Sequence, residues 1–184
     1  MKYFLFLVSV IELTSCSTTV ELPKRVEAME AVYLLKYSTW GHHSLGFYEG
    51  GQFTEYTYGD WQLFALNQRD TWTAWKNMTF ASQGALGRKS VELESGDPLC
   101  ENFVGCEAVV LFDAPEDKVL ALKELLKKDY LNGIEPEIYN KKEELFFVKH
   151  QDPYWGFHNC NHELVEWLEA LGAVVSGRVF YNPG

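Results

Sequence analysis

The residues of this chain best suited to chemistry are His158-Asn159-Cys160-Asn161-His162-Glu163-Leu164, running on into Val165-Glu166-Trp167-Leu168-Glu169-Ala170-Leu171-Gly172. Cys160, Leu164, Leu168 and Leu171 recur at helical spacing, so they share one face of an amphipathic helix that Gly172 closes. Asn159 suits the N-cap. A cysteine in the first turn lies at the positive end of the helix macrodipole, which favours the thiolate, the nucleophilic form. An inert buried cysteine is the competing role, because free cysteine is among the most buried residue types. A base brought to the sulfur would separate the two.

Two histidines in Trp40-Gly41-His42-His43-Ser44-Leu45-Gly46-Phe47-Tyr48 offer that base. The segment reads as the start of a strand, whose alternation sends His42 and His43 to opposite faces. Only one can serve Cys160. His42 shares a face with Ser44 and Gly46, small residues that leave room for a helix. His43 shares a face with Leu45 and Phe47, which read as core. His42 is therefore the expected base, with His43 as the alternate. The following strand offers Glu55, with Asp60 as its rival, to orient the imidazole and stabilise its cation. Trp40, Tyr58, Trp61, Tyr154 and Trp155 are candidates for lining a cleft. Zinc is the other chemistry to weigh, from His158, Cys160 and His162. Spacing of two does not place three ligands on one helical face, and the chain has no Cys-x-x-Cys pair. No metal or cofactor is expected.

These residues need strands and helices to position them. Ala31–Tyr37 reads as a strand. Ser44–Tyr48 and Gln52–Thr57 read as a hairpin through Glu49-Gly50-Gly51. Asp60–Thr79 reads as mostly helical, with Trp61, Leu63, Phe64, Trp72 and Trp75 on an irregular apolar face. Ser90–Leu93, Ala108–Phe112, Leu145–Val148 and Arg178–Tyr181 read as further strands. Between the second and third of these, a helix is expected with Asp113 as cap, Pro115 and Glu116 in its first turn, and Val119, Leu122, Leu125 and Leu126 on one side. The expected class is α+β: one mainly antiparallel sheet packed by helices.

With 184 residues, 47% hydrophobic, the chain suits one domain with a sizeable core. Its formal net charge is -10 and no Lys or Arg block stands out, which argues against a nucleic-acid partner. Lys2, the apolar run Tyr3–Ile11 and Leu13-Thr14-Ser15-Cys16 read as a lipoprotein signal over residues 1–15, with Cys16 as the lipidated residue. Glu12 departs from the usual apolar pattern. Residues 16–30 would form a tether and 31–184 the domain. Ser17 points to the outer membrane, facing the periplasm, so the lipid would make the membrane a partner. In such an oxidising place Cys100 and Cys106 could pair across five residues, leaving Cys160 without a partner.

His42-x-Ser44 on a strand, with Asn159-Cys160-Asn161 opening a helix far downstream, resembles the circularly permuted papain-like cysteine hydrolases, NlpC-type and lecithin–retinol acyltransferase-like. Glu55-Tyr56-Thr57-Tyr58-Gly59-Asp60 is similar to an acidic-aromatic motif of a bacterial envelope lipoprotein family in that superfamily. The likeness runs from about Val32 to Gly172. It implies a permuted papain-like fold with Cys160 as nucleophile, His42 as general base (His43 the alternate) and Glu55 as orienting group (Asp60 the alternate). Asn161-His162 stands where those bacterial relatives favour Asn-Thr, which leaves the role of His162 open. The implied activity is an envelope-anchored thiol hydrolase or acyltransferase acting on an amide or ester, in peptidoglycan peptides, protein tails or lipids. The alternative is a non-catalytic envelope lipoprotein that uses the same fold for binding.

Overall fold

The computed structural model describes residues 19–38, 42–93, 96–134 and 137–177. The expected signal, Cys16, Trp40, Gly41 and the expected strand Arg178–Tyr181 lie outside these residues. The strands are β1 (Thr19–Glu21), β2 (Met29–Tyr37), β3 (His43–Glu49), β4 (Gln52–Asp60), β5 (Ser82–Glu92), β6 (Cys106–Pro115), β7 (Ile138–Asn140), β8 (Leu145–Tyr154) and β9 (Val174–Ser176). The helices are α1 (Thr71–Thr79), α2 (Glu116–Leu131) and α3 (Cys160–Ala170). A π-helical turn covers Trp61–Ala65 and a 3₁₀ turn Leu99–Glu101. The protein is α+β. Seven strands form an antiparallel sheet in the order β6-β2-β3-β4-β5-β8-β7, and β1 pairs with β9 beside it.

Gly50 and Gly51 set the β3–β4 register. Both have positive φ, +58° and +81°, as a two-residue hairpin turn that follows the strand twist requires. Glu49 therefore faces Gln52, and Leu45 faces Tyr56.

The sheet has two differently covered faces. On one, Val32, Leu45, Phe47, Tyr56, Tyr58, Leu86 and Phe112 pack with α2 and α3. On the other, Leu35, Tyr37 and Phe53 pack under Leu99 and Phe103, and Ala85, Leu145 and Phe147 under the π-helical turn. The disulfide Cys100–Cys106, with Cα atoms 4.9 Å apart, ties the 3₁₀ turn to the start of β6. Within α3, Leu168 and Leu171 are buried, and Cys160 and Leu164 are partly buried against the same cluster. The helix ends where Ala173 N–H donates to Leu168 O and Gly172 N–H to Glu169 O, with Gly172 at φ +92°. That paired closure uses the freedom of glycine for positive φ.

Several elements differ from the sequence reading. The helical stretch expected over Asp60–Thr79 is broken: Asp70 caps a separate helix by accepting Thr73 N–H at 2.9 Å. Trp61, Leu63 and Phe64 are buried, but Trp72 and Trp75 are exposed and stack on each other at 5.3 Å. The cap of α2 is Pro115 rather than Asp113, which lies in β6 opposite Ala31. Leu125 of α2 is exposed, and Tyr130 completes the buried side instead. Part of the expected tether is structured, because Thr19–Glu21 pairs with β9 and β2 begins at Met29.

Truncating Leu168 to Ala should lower unfolding free energy by about 2–5 kcal/mol, because α3 would lose a buried anchor. Urea unfolding should show a lower midpoint with an unchanged slope. An unchanged midpoint would show that α3 is not held by this contact.

Candidate functional site

The turn before α3 is tightly tied. Trp155 and His158 exchange backbone hydrogen bonds at 2.9 and 3.0 Å, and Asn159 Nδ2 donates to Gly156 O at 3.2 Å. Asn159 is extended, and its Oδ1 accepts the Asn161 N–H at 3.0 Å. His162 closes the cap from the other side: its Nδ1 accepts the Asn159 N–H at 3.5 Å. Burial holds the His162 imidazole below its ordinary pKa, which keeps that acceptor available. The open role of His162 is thus a capping role, and Asn159 is the N-cap expected for it.

Cys160 opens α3 with a free thiol. Its Sγ lies 4.0 Å from the Tyr154 hydroxyl. Burial pushes the thiol pKa up, opposed by Tyr154 and by the amides of Asn161 and Cys160. Burial is the largest of these effects, so the resting group is the neutral thiol. The helix-start advantage is present but outweighed by desolvation.

The expected partner of Cys160 lies elsewhere. His42 sits on the face opposite α3, where Nε2 hydrogen-bonds Thr57 Oγ1 and the ring lies 4.7 Å from that of Phe64. Burial, with smaller contributions from His43 and Arg69, lowers its pKa to about 3, so it stays neutral. Glu55 lies on that same face, buried, with Oε1 accepting the hydroxyls of Tyr37 and Ser44. The reason is local. The space at Gly46, expected to admit a helix, is filled by Phe53: a Cβ there would stand 2.1 Å from its ring. Ser44 is small because Glu55 comes close enough to bond it. Small residues on β3 make room for β4 side chains, not for α3.

Strand alternation puts the other pair on the α3 face. His43 stands opposite Lys36 and follows the parity of Leu45 and Phe47. Extending the Leu45–Tyr56 register by two residues sets His43 beside Tyr58. Burial raises the hydroxyl pKa of both Tyr58 and Tyr154; after burial, Glu163 and Asp152 act most on Tyr58 and Cys160 acts most on Tyr154, with Asp60 a smaller contributor to each. Asp60 is buried. Its Oδ1 accepts the Leu63 N–H at 2.8 Å, capping the π-helical turn, and its Oδ2 accepts the Ser82 hydroxyl. Of the cleft candidates, Tyr154 faces the thiol, Tyr58 packs beside Tyr154 with its hydroxyl donating to Asp152 O at 3.1 Å, Trp155 is on the preceding turn against Phe157, and Trp61 is buried on the other face.

Sequence reasoning missed the pair His158 and Glu163. Glu163 is buried one helical turn after Cys160; its Oε1 accepts Trp167 Nε1–H at 2.9 Å, and its Oε2 lies 3.5 Å from His158 Nε2. The His158 ring stands 5.6 Å from that of Tyr58. The spacing Glu163-x-x-x-Trp167 was the available signal, since it puts both side chains on one helix face. Among the described residues no three His, Cys, Asp or Glu side chains converge as a metal set.

These features define an α+β protein with a capped, free helix-start thiol against an antiparallel sheet. Comparison with protein-family models, curated proteins and solved structures finds no match.

Burial, aided by Glu166, raises the Glu163 pKa to about 7 from an ordinary 4.5. Its folded value therefore lies above its unfolded one. The stability it contributes is fully present below pH 4.5 and is lost as pH rises through about 7. Glu163→Gln removes that loss. Relative to the wild type, the variant should gain about 1–3 kcal/mol of unfolding free energy between acid and neutral pH. Parallel stability–pH curves for the two proteins would contradict this.

Proposed function

We propose that the protein is a thiol hydrolase or acyltransferase of permuted papain-like architecture that acts on an amide or ester. Cys160 is the nucleophile, His43 the general base and Asp60 the nearby carboxylate. Strand alternation carries this reading: it assigns His43 and Asp60 to the sheet face against which the free thiol at the capped start of α3 packs, in the cluster that holds Tyr58 and Tyr154. The chain order, histidine strand before cysteine helix, is the permuted one. His43 and Asp60 take the roles expected of His42 and Glu55, which lie on the face that α3 does not cover.

The resting thiol is neutral, so its proton leaves as substrate binds. His43 takes the Sγ proton while sulfur attacks the carbonyl carbon. The Cys160 N–H and the Tyr154 hydroxyl are placed to donate to the oxyanion. Collapse breaks the C–N or C–O bond, and the imidazolium returns its proton to the leaving group. Water, or another acceptor hydroxyl or amine, then attacks the thioester carbon and gives a proton to His43. The C–S bond breaks, releasing the acylated acceptor, and the imidazolium returns the proton to Sγ. Lipid on Cys16 would hold this domain at the envelope membrane, where peptidoglycan peptides and lipid esters supply such carbonyls.

The second reading is a non-catalytic envelope lipoprotein that binds through the same fold. It is favoured by the burial that raises the Cys160 thiol pKa and by the structural use of both Asp60 oxygens.

Alkylation by iodoacetamide distinguishes the two. His43→Ala should slow labelling of Cys160 at neutral pH by roughly tenfold or more. Equal labelling in wild type and His43→Ala would support the binding protein.

A further inference from the structure

The buried polar cluster behind the sheet is left without a role once His42 and Glu55 are separated from Cys160. Its atoms are mostly partnered. Tyr37 and Ser44 hydroxyls donate to Glu55 Oε1, and His42 Nε2 bonds Thr57 Oγ1. Two atoms are not. Among the described residues, His42 Nδ1 and Glu55 Oε2 are buried and have no hydrogen-bond partner. His42 is 8% exposed and Glu55 1%. Leaving such groups unpaired carries their full desolvation penalty.

Both residues line one cavity of about 20 Å³, with Tyr37, Thr57, Phe64 and Phe147 among its other walls. A water needs roughly 10–15 Å³ of such space and two to four polar partners. The cavity is the right size for one water and too small for an organic ligand.

We propose that this cavity is a water-binding site in which one molecule bridges His42 Nδ1 and Glu55 Oε2, and that the completed network positions His43. The network spans three adjacent strands. Tyr37 N–H donates to His42 O at 2.9 Å while the Tyr37 hydroxyl bonds Glu55, so one β2 residue grips both ends. With the water in place, the His42 side chain is fixed by Thr57 on one ring nitrogen and Glu55 on the other. Fixing His42 fixes the start of β3, and alternation then directs His43 toward the α3 face. The titratable and charged groups that act on the cluster are Arg69, bonded at 2.7 Å to the cavity-wall residue Glu143, Lys89 on the neighbouring strand β5, and His43. The second half of the proposal rests on the assignment of His43 as the base.

Two arms test it independently. In an atomic-resolution crystal structure of the whole protein, a density peak should lie about 2.7–3.2 Å from both His42 Nδ1 and Glu55 Oε2. A cavity without density, or a direct bond between the two residues, overturns the water site. For positioning, Glu55→Gln keeps an acceptor at the Tyr37 side and a polar atom at the water side. It should leave the pH profile of Cys160 alkylation unchanged. Glu55→Leu should lower the neutral-pH rate roughly tenfold and move the profile toward that of His43→Ala. If Glu55→Leu does not fold, Tyr37→Phe is used, with a smaller shift in the same direction. A wild-type profile in the folded variant overturns positioning. If alkylation never depends on His43, the catalytic reading fails along with positioning, while the density still decides the water.

Discussion

Packing of α3 against one face of β3 and β4 is the constraint on which the site depends. Leu164, Trp167, Leu168 and Leu171 join the cluster that includes Leu45, Phe47, Tyr56 and Tyr58. Because strand side chains alternate, that packing assigns odd-numbered β3 residues and even-numbered β4 residues to the thiol's side. His43, Tyr58 and Asp60 follow; His42, Glu55 and Thr57 cannot. A one-residue change in register would exchange the two sets and expose the core as well. The Gly50-Gly51 turn, which fixes the register, is therefore as much a part of the site as the histidine.

The two faces have opposite electrostatic characters. Behind the sheet, His42 and Glu55 are buried, and burial disfavours the charged form of each. The result is a rigid polar core suited to holding a strand. Beside α3, Cys160 meets the Tyr154 hydroxyl and the positive helix start. Burial opposes ionisation of the sulfur there, and the amide and hydroxyl donors favour it. Such a thiol gains charge only when a base accepts its proton, the role proposed for His43.

Much of the site was legible in residue order. The Asn159 cap, the shared face of Cys160 and Leu168, and the stop at Gly172 all follow from spacing and local hydrogen-bonding chemistry. So does the Gly50-Gly51 hairpin. Which histidine faces α3 was not legible, because a small residue does not say what occupies the space beside it. Gly46 and Ser44 accommodate Phe53 and Glu55 from the next strand, a cross-strand fact invisible along the chain. Exposed Trp72 and Trp75 misled for a related reason. Two tryptophans at helical spacing can cover each other instead of a core. The capping role of His162 was hidden because histidine rarely stands where Glu or Gln usually closes the box.

The central claim is that Cys160 forms a covalent acyl intermediate with help from His43. Its most direct test is intact-mass measurement of the whole protein after rapid acid quenching, following incubation with activated esters, peptidoglycan fragments or phospholipids. An added mass equal to one acyl group is expected, located on Cys160, lost in Cys160→Ser and strongly reduced in His43→Ala. No adduct from any of these substrates, or one equally abundant in His43→Ala, would contradict it.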